Sequence, residues 1–141
     1  MTDPHDLERF VIAQQPTYQQ VSNELRAGKK TSHWMWFIFP QLRDLGQSPT
    51  AKLYGIASRE EAVAYLQHPV LGPRLKECVG IILAINGRNA HAIFGSPDDL
   101  KFRSSMSLFA SIAPKEPVFK EALEKYYGGK PDPRTLALIG W

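Results

Sequence analysis

Residues 33–42 read HWMWFIFPQL, and Trp34-Met-Trp-Phe-Ile-Phe39 carries no polar side-chain group except the two indole N–H donors. A strand with one wet face would alternate, and an amphipathic helix would keep a polar stripe. This run does neither, so its side chains are enclosed on nearly every side. Each buried indole also needs an acceptor, so the surroundings are partly polar. A deep corner of the core and the wall of a ligand pocket both meet that description.

Working outward, prolines and capping residues parse the chain. Asp3-Pro4, Ser48-Pro49, Ser96-Pro97 and Asp132-Pro133 each read as an N-cap followed by proline at the first helical position. Pro16 and Pro69 fit the same position behind weaker caps. Ser58-Arg-Glu-Glu61 has capping-box spacing, with the Glu61 carboxylate returning to the Ser58 N–H. Gly28, Gly87, Gly95 and Gly128 serve as C-terminal stops. The predicted helices are 4–14, 16–27, 59–67, 69–86, 97–112 and 117–127, with shorter ones at 49–54, 89–94 and 133–139. Apolar spacing agrees: Leu7, Phe10, Val11; Tyr18, Val21, Leu25; Leu71, Leu75, Cys78, Val79, Ile82. No alternating stretch is followed by a hairpin turn, so the fold class is mainly α, a multi-helical single domain over residues 1–141 with little or no sheet.

The 141 residues suffice for a core without metal or disulfide support, and a hydrophobic fraction of 43% is ordinary for a globular domain. The one cysteine, Cys78, lies in the apolar run 78–85 and reads as a buried, inert thiol. That run is the longest apolar one and falls far short of the ~20 residues that span a bilayer. The acidic start Met-Thr-Asp-Pro-His-Asp6 lacks the features of a signal peptide. The expectation is a cytoplasmic protein with no membrane partner. The net charge of +3 is dispersed, densest at Arg26, Lys29 and Lys30, and falls short of a nucleic-acid footprint.

Residues 93–109, IFGSPDDLKFRSSMSLF, hold most of the candidate chemistry. On a helical wheel Phe102, Met106 and Phe109 form one apolar face, Arg103 and Ser107 share the solvent sector, and Lys101, Ser104 and Ser105 fall around Leu108. A partly desolvated Lys101 can be a nucleophile or a proton carrier. The structural alternative, that it pairs with Asp98 one turn earlier and snorkels out to solvent, is the stronger reading of the sequence alone. Asp98 and Asp99 suit a helix start, where one of them can also act as general acid or base. His5, His33, His68 and His91 have no ligand spacing, and no metal or cofactor motif is present. His33 is the histidine placed to border a pocket, and His68-Pro69 reads as a helix-start turn. Arg74, in Leu71-Gly-Pro-Arg-Leu75, is suited either to a phosphate or to a surface ion pair. There is no P-loop, dinucleotide fingerprint or nucleophile elbow.

Several segments together carry a resemblance. They are Ser32-His-Trp-Met-Trp-Phe-Ile-Phe-Pro-Gln-Leu42, Tyr54-Gly-Ile56, Glu61-Ala62, Tyr65-Leu66-x-His68-Pro69-x-Leu71-Gly72-x-Arg74-Leu75, Ile93-Phe94-Gly95, Asp98-x-x-Lys101, Ser104-Ser105-Met106-x-Leu108-Phe109 and Gly129-Lys130-x-Asp132-x-x-Thr135-Leu136. Along essentially its whole length the chain resembles the bacterial DUF 1810 family, a domain of unknown function. More distantly it is similar to the NADAR (YbiA-like) superfamily of mainly helical proteins that break N-glycosidic bonds of ribosyl compounds. There His68-Pro69 with Leu71-Gly72 and Arg74, and Lys101-Phe102 with Phe119, Leu123 and Asp132, carry the similarity. Pro73 between Gly72 and Arg74, and Asp132-Pro-Arg-Thr135 in place of an Asp-x-x-Trp ending, depart from it.

That resemblance implies a YbiA-like fold and a hydrolase of ribosyl or ADP-ribosyl-type substrates. In that reading His33, Trp34, Trp36, Phe39 and Gln41 border a base, and Arg74 holds a phosphate. Ser104 and Ser105 contribute hydroxyls, and Lys101 acts with an acid drawn from Asp98, Glu61 or Asp132. The partner is then a nucleotide-like small molecule, with nucleic acid relevant only as a modified-base substrate. Two alternatives stay open: a nucleotide-binding module without turnover, and an interaction protein in which the dense segments are simply core.

Overall fold

A computed structural model describes residues 3–139. Its ten α-helices are α1 (Glu8–Gln14), α2 (Tyr18–Arg26), α3 (Met35–Ile38), α4 (Pro49–Leu53), α5 (Arg59–Gln67), α6 (Leu71–Leu83), α7 (Ala90–Phe94), α8 (Asp98–Ile112), α9 (Pro117–Tyr127) and α10 (Pro133–Leu138), with a 3-10 turn at Arg43–Leu45. The described residues contain no strand beyond one isolated parallel bridge between Leu42 and Ile56. The mainly α expectation holds. No described helix is long and apolar enough to cross a membrane.

Most helix starts follow local chemistry. Ser48, Ser58, Asn89 and Asp132 each accept a hydrogen bond from the backbone N–H three residues on. The His68 ring does the equivalent for α6, accepting from the Val70 and Leu71 N–H groups at Nδ1. Four expectations need correction. The first helix begins at Glu8 rather than Pro4, because Asp6 takes a left-handed φ of 49° while the Asp3 carboxylate reaches forward to the Leu7 and Glu8 N–H groups. The Glu61 carboxylate returns to the Ala57 N–H instead of Ser58. Before α8 it is Pro97, not Ser96, that occupies the cap, without a side-chain bond. And α6 stops at Leu83, short of Asn86, where Lys125 of α9 takes the Leu83 and Ile85 carbonyls and Tyr126 takes that of Ile82. A cation on the free carbonyls of a helix C-terminus offsets the dipole there.

The core is built around α8, which packs against α3, α5, α7, α9 and α10. Phe102 stands at its centre, with Phe39 at 5.0 Å, Phe94 at 4.7 Å and Tyr127 at 6.4 Å between ring centroids. The sector assigned above to solvent is covered. Ser107 is buried, its hydroxyl accepting from the Asp132 N–H, and Arg103 holds the Lys130 and Pro131 carbonyls. α8 is therefore enclosed almost all round, although its sequence reads as amphipathic.

Candidate functional site

The bridge between Leu42 and Ile56 ties a short loop shut. Ile56 donates to the Gln41 carbonyl, and Arg43 donates to that of Ile56. Gly55 sits so close to Arg43 that a Cβ there would lie 2.3 Å from the Arg43 Cα. The closed loop presents Gln41, the 3-10 turn and the start of α4 to the first turns of α8 and α10. Between them lies a cleft of about 440 Å³, lined by Gln41, Gln47, Lys101, Ser104, Asp132 and Arg134 among others.

Asp132 enters the cleft as the N-cap of α10. Its Oδ2 accepts from the Thr135 N–H at 3.0 Å, the Thr135 hydroxyl at 2.6 Å and the Ser104 hydroxyl at 3.2 Å. All three bonds fall on one oxygen, which fixes the carboxylate plane and turns the second oxygen away from the cap. The Ser104 hydroxyl also reaches the Leu100 carbonyl one turn back.

Lys101 lies across from the loop, its side chain 27% exposed. Its Nζ is 3.7 Å from Asp98 Oδ1 and 5.4 Å from the centre of the Trp36 ring. Asp98 has a nearer partner. Lys30 Nζ approaches Asp98 Oδ2 to 2.7 Å, with the Lys30 side chain only 7% exposed. One carboxylate thus faces two ammonium groups, and the exposed Arg134 on the cleft wall adds a third cation. The cleft is short of negative charge, an arrangement that favours an anionic ligand.

Gln41, Lys101, Ser104 and Asp132 line the cleft, Asp98 stands behind Lys101, and Trp36 is half-buried beside it. The remaining candidates go elsewhere. Trp34 is a core side chain whose indole N–H donates to Glu24 Oε1 at 3.0 Å, which closes it to base stacking. Phe39 is equally buried, packed on Phe94 and Phe102. Ser105 is fully buried with no hydrogen-bond partner for its hydroxyl among the described residues. His33 is exposed and outside the cleft lining. Arg74 lies over the Tyr18 ring at 4.8 Å and reaches Gln14 and Gln15 at 3.4 Å, so the cleft's guanidinium is Arg134 instead. Glu61 is buried in an ion pair with Arg9 at 2.7 Å and lines a separate surface cleft. Cys78 is buried, and burial pushes its thiol up to about 12, which suits an inert role at neutral pH.

Sequence reasoning missed Glu24, Lys30 and Arg134. Glu24 was detectable: it shares the buried face of α2 with Val21 and Leu25, an unusual place for a carboxylate. Lys30 reads as part of a solvated basic patch, and nothing local distinguishes Arg134.

A mainly helical fold with a cationic, carboxylate-bearing cleft between α8, α10 and the closed loop is the class of protein these observations define. The family described as "Protein of unknown function (DUF1810)" matches residues 4–139, and the chain belongs to that family. It is similar to a solved structure, the conserved hypothetical protein Rv1873 from Mycobacterium tuberculosis, at 58% identity and a TM-score of 0.97 over 99% of both chains. None of the curated proteins matches the chain.

Proposed function

We propose that the cleft is the site of a hydrolase acting on N-glycosidic bonds in ribosyl or ADP-ribosyl-type substrates. The observation that carries this reading is the meeting of Asp132, Lys101 and Arg134 in one cleft, with every hydrogen bond to the Asp132 carboxylate confined to Oδ2. The similarity of Lys101-Phe102 and Asp132 to the NADAR superfamily's Lys-Phe helix and closing aspartate supports it. Lys101 and Arg134 hold the substrate's anionic group. The free Asp132 oxygen faces the anomeric carbon and stabilises the oxocarbenium-like transition state. The C–N bond breaks with its electron pair on the departing base. Water forms the new C–O bond, gives its proton to Asp132, and the proton passes on to the departing nitrogen.

A specific observation also favours binding without turnover: Asp132 already has a structural reason to be present, as the cap of α10. Two variants separate the readings. Asp132→Asn retains the cap, since asparagine caps as well as aspartate, and removes the base. Under hydrolysis it lowers turnover by about 10²–10⁴-fold while the protein still folds, and Lys101→Ala abolishes turnover. The parent protein is first screened by thermal shift against ADP-ribose, nucleotides, ribose phosphates and flavin precursors. A ligand at 100 times its Kd adds about 2.7 kcal/mol, a rise of several degrees. A shift with no release of base selects the binding module, and a flat screen on folded protein rejects both readings.

A further inference from the structure

Behind Lys101 lies a nook formed by Met35, Trp36, Phe39 and Tyr54, and Gln41, Ala51 and Lys101 line both it and the cleft. Its volume of about 10 Å³ admits a single water at most and no heteroaromatic ring. Of the residues that line it, Lys101 is the charged one, and it carries the longest flexible stem. Its ammonium rests over the Trp36 ring at 5.4 Å, and Trp36 alone among residues 34–39 is not buried. Two weak contacts hold it there. One is the part-exposed cation–π contact, and the other is an Asp98 oxygen at 3.7 Å on a carboxylate already bonded to Lys30 at 2.7 Å. The lysine stem has four rotatable bonds, so the ammonium can turn from Trp36 into the cleft without any movement of α8.

We propose that Lys101 is a displaceable cover over an aromatic-ring subsite on Trp36, and that the site therefore selects ligands carrying an anionic group and a heteroaromatic ring together. This rests on the cleft being the ligand site and names its ligand more narrowly. An anion in the cleft draws the ammonium away from Trp36, and the ring of the same ligand takes the uncovered indole face. Either part alone does worse. An anion by itself exposes an apolar nook to water, and a ring by itself must displace a cation with nothing to receive it. Lys30 belongs to the device, because by occupying Asp98 it keeps Lys101 loosely held.

The test is calorimetric titration of the full chain with inorganic phosphate, adenosine and adenosine 5′-monophosphate. The parent protein is expected to bind the monophosphate about tenfold or more tighter than either fragment. Lys101→Ala removes cover and cation together, and alanine is well tolerated at a part-exposed helical position. It should tighten adenosine binding by about two- to fivefold while weakening phosphate and monophosphate. Trp36→Leu should bring the monophosphate down to the level of phosphate. If Lys101→Ala leaves adenosine unchanged or weaker while the parent protein binds the monophosphate, Lys101 is not a cover, and the cleft survives as an anion site. If the folded parent protein binds none of the three, this inference fails, and the ligand-site reading falls with it only when the wider thermal-shift screen is flat as well.

Discussion

Glu24 accepts five hydrogen bonds on two oxygens: from the Thr31 and Ser32 N–H groups, the Ser32 hydroxyl, the Trp34 indole and the Gln20 amide. Burial works against its charge, but the bonds from Ser32, Thr31, Gln20 and Trp34 win and hold its carboxyl at about 2, against an ordinary 4.5. Its pKa is lower in the folded chain than in the unfolded one. The stability it contributes is therefore complete above pH 4.5 and is lost as pH falls from there toward 2, a change on the order of 2–3 kcal/mol. Urea unfolding of Glu24→Gln should show a loss of about 2–4 kcal/mol at neutral pH, because an amide donor then faces donors. The variant's stability should also vary less between pH 5 and pH 3. An equal acid slope in both proteins would remove Glu24 from this role. The indole of Trp34 announced in the sequence that it needed an acceptor. Which acceptor it found depended on how the loop after α2 folds back.

At the scale of the element, α6 offers a comparison within one helix. A Cβ at Gly72 would lie 2.1 Å from the Leu66 carbonyl oxygen, part of the α5 backbone, whereas nothing lies within 4 Å of one at Gly80. Gly72→Ala should therefore force α5 and α6 apart and cost about 1–3 kcal/mol or more. Gly80→Ala should stabilise by up to about 1 kcal/mol, since alanine is the better helix former. Denaturant midpoints of the two variants check both signs. The starts at Ser48, Ser58 and Asp132, and the end of α9 at Gly128, were readable because a cap or a terminal glycine acts within a few residues. The end of α6 was not, because Lys125 and Tyr126 stop it from more than forty positions away.

For the molecule as a whole, α8 is the common wall of core and cleft: Phe102 faces the aromatic cluster, while Lys101 and Ser104 face the cleft. Phe102→Ala should cost about 3–5 kcal/mol, with calorimetric unfolding still a single transition because α8 touches five other helices. A low-temperature transition confined to part of the molecule would contradict one shared core.

The sequence by itself determined that this chain is helical, where most helices begin, and which family it belongs to. Those properties reside in periodicity, in caps and in runs of residues read in order. Only the tertiary structure decided that Trp34 is enclosed in the core while Trp36 lies under Lys101 beside the cleft, that Lys30 shares Asp98 with Lys101, and that Arg134 rather than Arg74 lines the cleft with Asp132. Each outcome joins groups far apart in the chain or distinguishes neighbours of the same apolar character. It follows from how the helices pack around α8, which no local pattern of residues encodes.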